Sequence, residues 1–184
     1  MKFTERTIAS YLARFVLERK HLLLVPNCQW PGSECDLLGV TPNLRVIDIE
    51  IKISRADLKL DAKKDKWFHN WDWKIDGPYR PNGTEGRRPR QWPHRVWKHY
   101  YCLPRAIWTP ELYEHINPVS GLLLIQDRDD GILVKCERRA KPDIKADRIT
   151  AEDAIDIARL ASLRMWDAYE TLDQHLRWKQ EKAA

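Results

Sequence analysis

Residues 33–57 read SECDLLGVTPNLRVIDIEIKISRAD, and this stretch decides how the chain is organised. Two runs favouring extended backbone, Cys35 to Val40 and Leu44 to Ile53, flank the turn residues Thr41, Pro42 and Asn43. Side chains alternate sides along a strand. Ile47, Ile49, Ile51 and Ile53 therefore share one face, and Val46, Asp48, Glu50 and Lys52 share the other. The isoleucine face is expected to pack against helices. A turn this short implies antiparallel pairing, with Val40 opposite Leu44 or Thr41 opposite Arg45. Either register puts Glu34 and Asp36 on the face of Asp48, Glu50 and Lys52, with Leu38 and Val40 as apolar walls.

Four carboxylates and one ammonium on one patch of sheet repel one another, and loss of water adds to the cost. A divalent cation would resolve the repulsion. Mg²⁺ favours one or two carboxylates plus waters and phosphate oxygens. There it could polarise a phosphodiester and lower the pKa of an attacking water. Lys52 could orient that water or stabilise charge on the phosphate. The competing reading is a solvated strand face with charges paired across it. The second acidic strand, the hydrophobic opposite face and the helix signal that follows favour a site, because a central strand is usually apolar on both faces.

Working outward, Ser54 and Asp57 form a capping signature, so a helix is expected from Arg55 to about Trp67. Upstream, Ile8, Tyr11, Leu12, Phe15 and Val16 recur at helical spacing. They predict a helix from Thr4 to about Arg19, capped by Thr4. His21 to Val25 is a short strand. Downstream, strands are expected at His99 to Leu103, Gly121 to Ile125 and Ile132 to Cys136. Thr150 and Asp153 repeat the capping signature. The long helix after them is expected to present Ile155, Ala158, Ser162, Met165, Trp166, Tyr169 and Leu172 on one face. That face either docks on the chain's own sheet, the preferred reading, or joins Trp166 and Trp178 in a homodimer. The expected fold is α/β, a mixed central sheet flanked by helices. Residues 1–184 form a single domain with an insertion at about 68–98.

These residues resemble the PD-(D/E)xK nuclease superfamily, which has the restriction-endonuclease-like fold. Asp36 matches the first acid of that motif, and Glu50-Ile51-Lys52 the second half. EIKISRADLKLDAKKDKW further resembles a phage and bacterial branch with the sequence EIKxSRxDF, which includes MmcB-like DNA-repair nucleases. The likeness spans roughly residues 4–170, and its specific part is Glu34 to Trp67. It implies a metal-dependent DNA endonuclease in which Asp36 and Glu50 hold Mg²⁺, with Mn²⁺ substituting, and Lys52 is the catalytic lysine. An acid on the first helix often assists in this superfamily, and Glu5 matches it; its alternative role is to face the helix dipole. Cys35 stands where the motif has proline. Asp48 stands where an apolar residue is usual, so it is an extra ligand or tunes the site. Glu34 would support the ligands from behind.

Phe68 to Lys98 shows no steady period. With Lys66 and Trp67 just before it, the region carries Trp67, Trp71, Trp73, Trp92 and Trp97 among Arg80, Arg87, Arg88, Arg90 and Arg95. Guanidinium groups bind phosphates bidentately and indoles stack on unpaired bases. Arg87, Arg88, Arg90 and Arg95 are therefore expected to contact DNA, with Lys63 and Lys64 adding phosphate contacts from the preceding helix. The alternative is that the tryptophans cover the sheet and the arginines solubilise a loop; Trp67 and Trp97 are read as core.

Composition agrees with this outline. The chain has 184 residues, enough for one proper core, and 43% hydrophobic residues argue against wholesale disorder. A mean hydropathy of -0.62 and the lack of a long apolar run argue against a membrane span. The N-terminus breaks its apolar pattern at Glu5, Arg6 and Arg14, so no signal peptide is read and the cytoplasm is expected, that of a bacterial host if the chain is phage-encoded. Cys28, Cys35, Cys102 and Cys136 lack CxxC spacing and are read as buried thiols rather than a zinc site. A net charge of +5 fits a polyanion partner. The alternative to an endonuclease is a non-catalytic nuclease-like module, binding DNA or protein in a phage or repair assembly.

Overall fold

In the computed structural model, residues 3–78 and 84–183 are described. Arg80 and Gly83 of the insertion lie outside them. Six strands form one sheet in the order β1-β2-β3-β4-β5-β6. They are β1 (Leu23–Cys28), β2 (Cys35–Val40), β3 (Val46–Ile51), β4 (Lys98–Pro104), β5 (Gly121–Arg128) and β6 (Gly131–Arg138). The first three pair antiparallel, β3–β4 and β4–β5 pair parallel, and β5–β6 is a hairpin. Among the described residues four α-helices accompany the sheet: α1 (Glu5–Tyr11), α2 (Arg55–Asp61), α3 (Trp73–Asp76) and α4 (Ala151–Ala183). The fold is α/β with a mixed open sheet.

The helix starts follow from local chemistry. Thr4 Oγ1 accepts from Thr7 N at 3.1 Å, Ser54 Oγ from Asp57 N at 3.1 Å, and Thr150 Oγ1 from Asp153 N at 3.1 Å. Each satisfies an N–H that the first helical turn leaves unpaired. The helix ends depart from expectation. After Tyr11 the first helix widens into a π-type turn over Leu12–Leu17. The wider turn shifts the phase, so Leu12 and Leu17 point inward while Phe15 turns out, 67% exposed. The second helix stops at Asp61, not near Trp67, and Asp65–Trp67 forms a short 3₁₀ turn folded back towards the sheet.

Between β2 and β3 the chain takes the Thr41–Arg45 register. Thr41 N donates to Arg45 O at 2.9 Å, and Leu38 faces Asp48. Ile47, Ile49 and Ile51 pack with Ile8, Leu12 and Leu17 in one core cluster. Ile53 lies beyond the strand and is exposed. On the other face are two apolar clusters. Val25, Leu38, Val40 and Val46 meet Ile157 of α4. Leu58, Trp67, Tyr101, Leu103 and Trp108 form the second, over β4 and β5. Burying ten or so such side chains on each face, at about 1.5–3 kcal/mol each, supplies the main drive to fold.

The insertion is tied at its base. His69 N donates to Arg88 O at 2.9 Å and Arg90 N to Trp67 O at 2.7 Å. Trp67 is buried and Trp97 packs against the isoleucine cluster, while Trp73 is exposed. Of the cysteines, Cys28, Cys35 and Cys102 are buried; Cys136 is exposed, contrary to the reading of all four as buried thiols, because it sits on the hairpin strand β6. Among the described residues no helix is long and apolar enough to cross a membrane.

The face expected for the long helix is wrong. Ile155, Met165, Trp166, Tyr169 and Leu172 are exposed, and the side packed on the sheet is Ala154, Ile157, Leu160 and Ala161. Two apolar stripes share this helix. The one that continues furthest along the sequence is not the one the body covers.

Candidate functional site

The charged residues of β3 are buried between the two apolar clusters. Asp48 is 0%, Glu50 1% and Lys52 2% exposed. Alternation on β3 puts Asp48 and Glu50 on this face. Lys52 follows the last strand residue and is still tied to the sheet, its N–H donating to Cys102 O at 3.0 Å. From β2, Asp36 reaches across: its Oδ2 accepts from Ile51 N at 2.6 Å. Pairing of β2 with β3 ends at Leu37 and Ile49, so this carboxylate satisfies an N–H that the ladder no longer does.

Lys52 Nζ joins the acids. It lies 2.5 Å from Glu50 Oε2, 3.3 Å from Asp61 Oδ1 and 3.7 Å from Asp36 Oδ2. Asp36, Glu50 and Lys52 are thus gathered as expected. Asp61 was not foreseen. It ends α2, is fully buried, and accepts from Tyr101 Oη at 2.6 Å and Trp67 Nε1 at 3.3 Å. Lys66 was also missed as a member of the cluster. Its Nζ is 2.6 Å from Glu50 Oε1 and 3.3 Å from Asp61 Oδ2, ion pairs whose angles fall short of hydrogen bonds. Lys64 lies 3.1 Å from Asp61 Oδ1 and 3.8 Å from Glu50 Oε2. The early end of α2 is what turns these lysines inward.

His99 of β4 is the other unforeseen member. Parallel pairing sets it beside Asp48. Its Nδ1 is 2.9 Å from Ser120 Oγ, and its ring is held edge-on by Trp67 and Tyr101. Nε2 lies 3.7 Å from Asp48 Oδ2 and has no hydrogen-bond partner, while the Cys35 thiol lies beside the Asp48 carboxyl.

Burial and charge set the protonation states. Burial, with Glu50 beside it, pushes the Asp36 carboxyl up to about 6. Burial pushes Asp48 up to about 7, against the opposing pull of Lys66. Burial alone would lower Lys52, but Glu50, Asp61 and Asp36 more than offset it and hold the ammonium above the ordinary lysine range. Burial alone would raise Asp61, yet Lys66, Lys52 and Tyr101 hold it well below the usual carboxylate range. Burial and Lys66 keep His99 neutral at physiological pH.

The remaining expected residues fall into three groups. Glu5, exposed on α1, lines a cleft of about 490 Å³ that also contains Asp36, and its charge adds to the rise of the Asp36 pKa. Glu34 is exposed ahead of β2 and among the described residues forms no ion pair, so it does not join the cluster. The arginines of the insertion are engaged locally. Arg87 Nη1 is 2.5 Å from Asp65 and its Nε donates to His69 O. Arg88 pairs with Asp76 at 2.5 Å, and Arg95 stacks over Trp30 at 5.0 Å. Arg90 lines a smaller pocket of about 170 Å³ with Lys66. Lys63 is exposed in the turn after α2.

Two donor sets fit a divalent cation. Asp36 and Glu50 both face the Lys52 ammonium, at 3.7 and 2.5 Å, and offer the carboxylate oxygens a hard cation takes. Asp48, Glu50 and His99 each offer one atom, all within 4.8 Å of one another, a carboxylate and imidazole set that suits Mn²⁺ or Zn²⁺ better than Mg²⁺. In both, a cation competes with lysine ammoniums for Glu50.

No family model and no curated protein matches the chain. Among solved structures, it is similar to a protein of unknown function from Silicibacter pomeroyi, at 17% identity and a TM-score of 0.53, covering 94% of each chain. At that identity the likeness extends to the fold alone.

Proposed function

We propose that this chain is a metal-dependent endonuclease that hydrolyses phosphodiester bonds of DNA, with Asp36 and Glu50 as metal ligands and Lys52 as the catalytic cation. The observation that carries this reading is the meeting of Asp36, Glu50 and Lys52 within ion-pair distance where β2 and β3 part. When bound, the metal supplies Lewis-acid polarisation of the phosphate and a lowered pKa for water. Lys52 stays protonated, because its neighbours hold its pKa high. It therefore serves as a donor to negative charge on the phosphate and not as a base. Lys66 and Asp61 hold Glu50 and Lys52 in place from behind. Glu5 orders water or a second cation at the cleft.

The route to Asp36 is the cleft between α1, β1 and α4. Arg6 and Arg164 line it, beside Asn27 and Thr171. Arg6 is exposed and forms no ion pair among the described residues. These two guanidinium groups share the cleft with Asp36, Arg164 beside Asp167 and Asn27 O at 3.3 Å each, and they are proposed as phosphate contacts in addition to Arg90, Arg95, Lys63 and Lys64. Arg87, Arg88, Arg164 and Lys64 reach DNA only by releasing Asp65, Asp76, Asp167 and Asp61 in turn.

One observation favours a second reading, a nuclease-like binding module. Glu50 is already neutralised by Lys52 and Lys66, so the cluster is balanced without a cation. Calorimetric titration with Mg²⁺ and Mn²⁺ separates the two. Binding that is lost in Asp36→Asn and Glu50→Gln supports the enzyme; a flat titration of the wild type supports the module.

A further inference from the structure

Helix α4 extends beyond the body that it packs on. Its 33 residues span about 50 Å at about 1.5 Å per residue. Ile157 is fully buried against the sheet, with Ala154, Leu160 and Ala161 beside it. From Ser162 to Lys182 every residue is exposed. Among them are Trp166 at 62%, Tyr169 at 55% and Leu172 at 52%, with Met165 and Leu176 nearly as open.

These side chains are ordered. Ile155, Ala158, Ser162, Met165, Tyr169, Leu172 and Leu176 follow at alternating steps of three and four, the seam of a coiled coil. At 3.6 residues per turn the seam is turned roughly a third of a revolution from Ile157, so docking on the sheet leaves it open. An aromatic side chain buries roughly 150–250 Å², so this stripe offers several hundred Å², approaching the roughly 800 Å² per partner of a standard interface.

We propose that the seam is a homodimer interface, in which α4 pairs antiparallel with α4 of a second copy. Two complementarities select this occupant and direction. After Ile155 the seam is small at Ala158 and Ser162 and large from Met165 to Leu176. Antiparallel pairing sets Met165 against the partner's Tyr169, Ser162 against the partner's Leu172, and Ala158 against the partner's Leu176. The two ends of the helix also differ in charge: residues 151–156 hold Glu152, Asp153 and Asp156 and no base, and residues 177–182 hold Arg177, Lys179 and Lys182 against Glu181. Antiparallel pairing brings these two ends together. Parallel pairing would oppose lysine to lysine and carboxylate to carboxylate, as well as leaving a void at Ala158 and Ser162. The inference does not depend on nuclease activity.

The test is the solution mass of the full chain by light scattering and sedimentation over a wide range of concentration. The expected mass is twice 21.8 kDa. Tyr169→Glu, at a position already exposed in the single chain, should return the mass to that of one copy with an unchanged circular dichroism spectrum. Leu163→Glu, off the seam, should leave the dimer intact. In a Cys136→Ser background, mixed Ser162→Cys and Leu172→Cys chains should cross-link to each other, and neither should cross-link to itself. A wild type that stays monomeric, or a dimer indifferent to Tyr169→Glu, would overturn the interface. Self-linking of Ser162→Cys would overturn the antiparallel arrangement.

Discussion

At the residue scale, the buried cluster behaves as one electrostatic unit. Lys66 is 7% exposed and touches both Glu50 and Asp61. Removing one partner of a buried pair strands the other, at about 3–5 kcal/mol. Lys66→Met should therefore lower stability by about that much in urea unfolding, whereas the half-exposed Lys64→Met should cost about 1 kcal/mol or less. Asp48 makes a prediction with a definite sign. Its carboxyl is raised from 3.8 to about 7, so the folded state binds that proton more tightly than the unfolded chain. The contribution to stability is full below about pH 4 and is lost as pH rises to about 7, at about 1.4 kcal/mol per pH unit. Asp48→Asn should remove this share of the decline, leaving the part that Asp36 contributes up to about pH 6, and make the protein more stable than wild type at pH 8. Asp36, Glu50 and Lys52 were legible because strand alternation and a short turn fix which side chains share a face. Asp61, Lys66 and His99 were not, since they arrive through the end of a helix and a parallel strand pairing that no local pattern encodes.

At the element scale, the capping residues were readable and the helix ends were not. Thr4, Ser54 and Thr150 each announce a start through a side-chain oxygen that local sequence supplies. Ser54→Ala should cost about 1 kcal/mol of stability, and because the capped helix carries Asp61 into the cluster, it should also weaken any activity. The stop at Asp61 is tertiary: its carboxylate is drawn to Lys52 and Tyr101, and the chain turns there. Gly121 shows the same dependence on packing. A Cβ at this position would run into the Tyr100 ring across the β4–β5 pair. Gly121→Ala should destabilise by about 1–3 kcal/mol, read by thermal unfolding, with Tyr100→Ala partly relieving it. The face of α4 was misread for a reason of the same kind. Periodicity finds the longest apolar stripe, but which stripe the body covers depends on where β1 lies.

At the scale of the whole molecule, the alternation of strands and helices carried the fold class, and the mixed sheet agrees with it. The charge separation inferred from sequence takes a different form. The acids do gather on β2 and β3, but three lysines meet them there, and Arg87 and Arg88 are occupied by Asp65 and Asp76. If the cleft is the substrate path, Arg6→Ala should weaken DNA binding and reduce its salt slope by about one, Arg164→Ala should do so by less because Asp167 already pairs with it, and Arg88→Ala should leave the slope unchanged. Filter binding over a salt series reads both. The most direct test of the central claim is incubation of closed circular DNA with the full chain in Mg²⁺ or Mn²⁺. Nicked and linear products are expected, vanishing with EDTA and falling by about 10²–10³-fold in Lys52→Ala. Cutting that survives EDTA, or that persists in Asp36→Ala, Glu50→Ala and Lys52→Ala alike, would contradict it.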